Sequence, residues 1–150
     1  MPQSLTKIFI HQVFSTKHRQ HILSTDIRDE LYSYLGGICK NMECYPVKIG
    51  GFTDHVHILC LLSKKITLIK LLEEEKRSSS KWIKTRGEQF ANFHWQDGYG
   101  AFSVNPADIK VVSEYIENQA EHHKKVTFQD EFRKFLKKYE VDYDERYVWD

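Results

Sequence analysis

The sequence predicts an α+β domain built on one antiparallel sheet. Three observations point there. Short runs of branched and aromatic residues alternate with longer amphipathic stretches in the order β-α-β-β-α-β. Two of the strand-like runs are separated by only Phe52-Thr53-Asp54, which asks for a hairpin. No linker, internal repeat or low-complexity segment divides the 150 residues, so residues 1–150 read as a single domain, large enough to bury a core.

The elements follow in order. Lys7–Ser15 carries Ile8, Phe9, Ile10, Val13 and Phe14 and reads as the first strand. Ser24-Thr25-Asp26 supplies helix-capping residues, and a helix continues through Ile27, Leu31, Tyr34, Leu35 and Ile38 until Tyr45-Pro46 closes the region. Val47–Gly51 and His55–Leu62 form the hairpin. Ile66 to about Thr85 is a second amphipathic helix through Leu68, Leu71, Leu72, Trp82 and Ile83, ended by Gly87. Gly98–Val104 is a short strand. Asn105-Pro106-Ala107-Asp108 then starts a third helix: Asn105 caps, Pro106 suits the first turn, and Asp108 suits the positive end of the helix dipole. That helix runs to about His123. A charged tail with Phe128, Phe132, Phe135, Tyr139, Tyr143, Tyr147 and Trp149 adds one more helix and an extended end. The first six elements make the ferredoxin-like split βαβ pattern, two helices on one face of the sheet and the first and third strands central.

Composition narrows the functional classes. Aromatic residues are 13% of the chain and hydrophobic residues 41%, which excludes a disordered or fibrous protein. Cys39, Cys44 and Cys60 contain no CxxC pair, so buried thiols are expected rather than a disulfide framework or a cysteine zinc site. Gln3, Lys7, His11 and Gln12 break the N-terminal run, so neither a signal peptide nor a membrane span is expected, and the default location is the cytoplasm. The formal net charge is +1, but Lys64–Arg86 holds eight basic residues against Glu73, Glu74 and Glu75. Such a stretch suits phosphate; from charge alone a solvated helix face is the better reading.

The chemistry-bearing pattern is His55-Val56-His57. Residues i and i+2 of a strand share a face, so the two imidazoles point one way and Val56, Ile58 and Cys60 the other, under the two helices. The histidines are left on the opposite, uncovered face of a central strand, close enough to share a metal. Rival motifs fail: a histidine-triad hydrolase needs a histidine at 59, which is Leu59, and no histidine here begins the HxT or HxS of a two-histidine phosphoesterase. On the third helix Ile109, Val112, Ile116 and Ala120 form the apolar stripe. Tyr115 sits beside it and Gln119 one turn further on. An amide oxygen of Gln119 would be a hard third ligand, and a phenol one turn away would stand beside a metal-bound phosphate. Glu121-His122-His123 adds possible ligands or proton carriers near the helix end, and cationic residues against the negative end of the dipole are the preferred reading.

These residues together resemble the HUH single-tyrosine transposases of small bacterial insertion sequences, including relatives associated with repetitive extragenic palindromes. The resemblance covers nearly the whole chain. It rests on the opening strand into Phe14-Ser15-Thr16-Lys17-His18-Arg19, on Gly51-Phe52-Thr53-Asp54-His55-Val56-His57-Ile58-Leu59, on Trp95-Gln96-Asp97-Gly98-Tyr99-Gly100-Ala101-Phe102-Ser103-Val104, and on Tyr115-Ile116-Glu117-Asn118-Gln119. It implies that His55, His57 and Gln119 hold Mg²⁺ or Mn²⁺. It implies that Tyr115 attacks a phosphodiester of single-stranded DNA at the element ends, leaving a 5′-phosphotyrosine and a free 3′-OH that are later rejoined. It further implies recognition of DNA hairpins and a homodimer, often with the tyrosine of one subunit serving the histidines of the other, so that Tyr115 acts within its own chain or on its partner's site. Paired imidazoles by themselves favour a transition metal over Mg²⁺, and Mn²⁺ satisfies both arguments. Lys17, Arg19, Lys76, Arg77 and Lys81 are the candidate DNA contacts by charge and position. Two other readings stay open at this point: a non-catalytic or domesticated single-strand-binding protein, and a metal-dependent nuclease that uses water instead of Tyr115.

Overall fold

The computed structural model describes residues 2–150. Its elements are β1 (Phe9–Ser15), α1 (Thr25–Asn41), β2 (Pro46–Gly51), β3 (His55–Leu61), α2 (Leu68–Ile83), β4 (Gly100–Val104), α3 (Ile109–Glu117), α4 (Gln119–His122) and α5 (Phe128–Lys138). The four strands form one antiparallel sheet in the order β2-β3-β1-β4, so the first and third strands are central, as the sequence predicts. Of the expected helix caps, Asn105 accepts from the Ala107 amide, whereas Ser24 before α1 makes no side-chain cap bond; Thr67 caps α2, accepting from the Lys70 amide. Among the described residues no helix is long and apolar enough to cross a membrane.

The alternation along β3 divides the molecule. Val56, Ile58 and Cys60 turn toward α1 and α2 and join Ile10, Phe14, Leu31, Leu35, Leu71, Leu72 and Ile83 in the main apolar core. Cys39, Cys44 and Cys60 are buried free thiols, as expected. His55, His57 and Leu59 turn the other way.

That second face is not open, which corrects the expectation of an uncovered histidine face. It is roofed by α3, α4 and α5, and His55 and His57 have no exposed surface at all. Two small apolar clusters hold the roof down. Val13 and Phe102 pack under Phe128, Phe132 and Leu136 of α5. Leu59 and Val104 pack with Ile116 of α3. Two glycines permit the close approach. A Cβ on Gly50 of β2 would lie 2.7 Å from the Ile116 carbonyl oxygen, and one on Gly100 of β4 would lie 2.5 Å from the Phe132 ring. One glycine thus sits under α3, which carries Tyr115, and one under α5, which carries Glu131.

The third helix also differs from expectation. Instead of running unbroken to His123, it is interrupted at Asn118 (φ −92°, ψ 20°) and resumes as α4. Short apolar stripes on α3 and α5 explain the roof: a sheet face bearing Val13, Leu59 and Phe102 must be covered, and the tail supplies a further amphipathic helix to do it.

Candidate active site and metal centre

β3 supplies His55 and His57, and the bonds around them fix where their protons sit. His55 Nδ1 lies 2.7 Å from Asp54 Oδ1. A carboxylate can only accept, so the proton belongs on Nδ1 and Nε2 carries a lone pair. That Nε2 faces Gln119 Oε1 at 2.9 Å. His123 repeats the arrangement. Its Nδ1 donates to the Val126 carbonyl at 2.6 Å, and its Nε2 faces Gln119 Oε1 at 2.9 Å and Glu131 Oε2 at 3.1 Å. His57 Nδ1 shares a 2.7 Å hydrogen bond with His11 Nε2, while its Nε2 lies 3.0 Å from Glu131 Oε1.

Acceptors therefore face acceptors across a small volume. Ligand atoms of His55, His57, His123 and Glu131 all lie within 4.8 Å of one another. Imidazoles whose outer nitrogen is tied to a carboxylate or carbonyl, with free inner lone pairs beside a carboxylate, are what a divalent ion requires. The donor set fits a metal, and the mix of imidazole and carboxylate suits Mn²⁺ or a later transition metal better than Mg²⁺.

Glu131 occupies the centre. Its side chain is buried, and its oxygens reach His55 at 3.5 Å, His57 at 3.0 Å, His122 at 3.3 Å and His123 at 3.1 Å. It also accepts from the Gln119 amide at 3.0 Å and from the Tyr115 hydroxyl. Burial alone would raise its pKa, but His57, His123 and His55 outweigh that and hold it far below the usual carboxylate range. Burial presses the His57 imidazole toward its neutral form against the pull of Glu131. Burial would do the same to His123, but Glu131 prevails and raises it. Tyr115 is half-buried; burial first, and Glu131 second, push its phenol well above the ordinary tyrosine value. The phenol is thus held protonated with its proton aimed at a carboxylate.

The sequence-predicted residues are distributed unequally. His55, His57, Gln119 and Tyr115 come together in one chain, with the Tyr115 and His57 rings 5.9 Å apart. Two members were missed. His123, read as a helix-end cation, points into the site. Glu131 lay in the tail, yet the sequence carried a signal: Phe128, Phe132, Phe135 and Leu136 mark an apolar helix face, and Glu131 stands three residues after Phe128 on that same face. An acid in an apolar stripe is costly unless partnered.

The basic candidates lie elsewhere. α2, with Lys76, Arg77 and Lys81, packs on the opposite face of the sheet from the histidines. The Lys76 ammonium donates to the carbonyls of Gln96, Asp97 and Gly98 at 2.7, 3.0 and 2.9 Å. Burial lowers its pKa to about 8 despite Asp97 and Glu75. Arg77 pairs with Glu74 on its own helix. Arg19 donates to Gln96 Oε1 at 3.2 Å and to the Trp149 carbonyl at 2.9 Å. Lys17 starts the short turn after β1, and Lys81 is exposed.

Comparison with known proteins agrees with the fold. The chain resembles a candidate transposase of Deinococcus radiodurans R1 at 20% identity, over 79% of this chain and 98% of that one, with a TM-score of 0.62. It also resembles a REP-associated tyrosine transposase solved with a REP hairpin, at 15% identity over 84% and 74% of the two chains, with a TM-score of 0.60. No curated protein sequence matches the chain. The family model described as "Transposase IS200 like" matches residues 4–119, a span that holds His55, His57, Tyr115 and Gln119 and stops short of Glu131. This chain belongs to the IS200-like transposase family.

Proposed function

We propose that the protein cuts and rejoins single-stranded DNA by attack of Tyr115 on a phosphodiester, at a divalent-metal site held by His55, His57 and Gln119 together with Glu131 and His123. One observation carries this reading. Inward-facing imidazole nitrogens and the Glu131 carboxylate converge beside the hydroxyl of a tyrosine, so a metal-seated phosphate and a nucleophile would meet in one place.

The roles follow from the contacts. The Tyr115 oxygen forms the bond to phosphorus, and the bond from phosphorus to the 3′ oxygen breaks, leaving a 5′-phosphotyrosine and a 3′-OH. The Tyr115 proton is relayed through its hydrogen bond to Glu131 Oε2 and on to the departing 3′ oxygen, which becomes the 3′-OH, so Glu131 ends the step ionised. Because the phosphoester is conserved on Tyr115, attack by a 3′-OH reverses the step and rejoins a strand. Asp54 and Val126, through the Nδ1 protons of His55 and His123, keep those imidazoles in the tautomer that offers Nε2. A divalent ion, Mn²⁺ or Mg²⁺, would polarise the phosphate as a Lewis acid.

Tyr115 contacts Glu131 and His122 of its own chain, which supports catalysis within one chain rather than between the subunits of a homodimer. The hairpin-bound relative supports a DNA hairpin as the recognised element, with Lys17, Arg19, Arg77 and Lys81 as candidate contacts to it.

The test uses end-labelled single-stranded DNA with Mn²⁺, followed by denaturation. A covalent protein–DNA adduct is expected, and Tyr115→Phe should abolish it, a loss of about 10³-fold or more. Cleavage that survives Tyr115→Phe would make water the nucleophile. Binding without cleavage in any metal would leave only a binding protein.

A further inference from the structure

The buried site must be reached by a polynucleotide, and the described residues include an opening that leads to Tyr115. A cavity of about 280 Å³ lies between α3 and α5, with Tyr115, His122 and Glu131 at its floor. Val111, Val112, Phe135 and Tyr139 form apolar and aromatic walls, and Lys134 and Lys138 stand at the α5 edge. We propose that the strand to be cut lies in this cleft, a base against the aromatic wall and the backbone phosphates held by Lys134 and Lys138, rather than along the basic run of α2. The proposal rests on the reading of the substrate as single-stranded DNA.

Several observations favour that path. Lys134 and Lys138 are one helical turn apart and share a face of α5. Both are exposed, and among the described residues no ion pair involves either. Two cations with no acid paired to them, beside a cavity that reaches Tyr115, would attract a phosphate there, Lys138 lying 5.5 Å over the Tyr139 ring. Val111 is 67% exposed beside them, an apolar surface of the kind a nucleotide base covers.

The α2 residues contrast at each point. They belong to the layer beneath the sheet, Lys76 is enclosed by three carbonyls, and Arg77 already has Glu74. A strand lying there would be separated from Tyr115 by the sheet itself. The loop side of the site has a further opening, lined by Arg19, Phe52, Lys124 and Lys125, but it reaches His123 and not Tyr115.

Fluorescence anisotropy with a labelled single strand, measured across a salt series, tests the path. Lys134→Ala/Lys138→Ala should weaken binding about tenfold at low salt and reduce the salt slope by about 1.4, the loss of two single-strand phosphate contacts. Lys134→Glu/Lys138→Glu should weaken it further. Lys40→Ala/Lys84→Ala removes equal charge from the α1–α2 layer and should change neither quantity. Melting of all three variants should match the parent, because the side chains are exposed. If the parent protein forms the Tyr115 adduct but the Lys134/Lys138 variants keep its affinity and slope, the path is wrong and the activity stands. If the parent neither binds single strands nor forms an adduct, both readings fall.

Discussion

The two faces of the sheet are made by the same strands and do opposite things. Along β3, Val56, Ile58 and Cys60 meet α1 and α2 in a core of aliphatic and aromatic side chains, while His55 and His57 meet α3, α4 and α5 in a cluster of imidazole, amide, carboxylate and phenol. Both faces are buried, so burial does not distinguish a core from a site. The distinction is in what the buried atoms ask of their neighbours. On the first face hydrophobic contact stabilises the fold. On the second, lone pairs face lone pairs, and only a cation or extra protons relieve them. A strand with period two can therefore carry folding on one side and chemistry on the other without either constraining the other's residues.

Neighbouring substitutions on β3 should separate the two roles. Ile58→Ala opens a cavity in the α1–α2 core and should cost about 2–5 kcal/mol of unfolding free energy, read by denaturant titration. The Mn²⁺-dependent rise in melting temperature should persist in that variant. His57→Ala should abolish that rise, which in the parent protein is worth about 2.7 kcal/mol when free metal is a hundredfold above its dissociation constant. A His57→Ala protein still stabilised by Mn²⁺ would move the metal elsewhere.

One residue breaks the symmetry. Glu75 of α2 is fully buried on the apolar face, accepting from Gln12 at 3.1 Å and from the Cys39 thiol at 3.3 Å, with its other oxygen unpartnered among the described residues. Burial raises its pKa to about 7, against the lowering effect of those two hydrogen bonds. Below about pH 4.5 the carboxyl is neutral in folded and unfolded chains alike. As pH rises from there, the unfolded chain loses the proton first, so stability falls until about pH 7 and then levels off. The full span is about 3 kcal/mol. Glu75→Gln should remove that slope and raise stability at pH 8 relative to the parent, measured by denaturant titration at pH 5 and pH 8. An unchanged slope would show that Glu75 stays ionised with an internal water as partner. The His/Glu cluster acts in the opposite sense: Glu131, held far below the usual carboxylate range, and His57 and His11, pressed by burial toward neutral, contribute stability that is lost as pH falls from their unfolded values toward their folded ones.

The first face was legible in the sequence and the second only in part. Strand alternation placed Val56 and Ile58 under the helices and gave the sheet its central strands. The same rule put His55 and His57 together, and helical spacing put Tyr115 beside Gln119. Local periodicity reaches no further than one element. That Glu131, 74 residues beyond His57, meets it at 3.0 Å depends on α5 folding back over the sheet, and that return is set by the fit of Phe132 over Gly100. His123 was misread for a related reason. A helix unbroken to that residue makes it a terminal cation, whereas the interruption at Asn118 comes before an α4 that turns its imidazole inward. Lys76 looked like a free charge because its three carbonyl partners lie some twenty residues away in another loop.

In the proposed function one chain carries the whole cutting site on the second face of its sheet. Mixing Tyr115→Phe protein with His57→Ala protein, then adding labelled single-stranded DNA and Mn²⁺, tests it most directly. Neither variant alone should form a covalent adduct, and a site contained in one chain predicts that the mixture forms none either. Adduct restored in the mixture would mean that the tyrosine of one chain serves the histidines of another, and would contradict the claim.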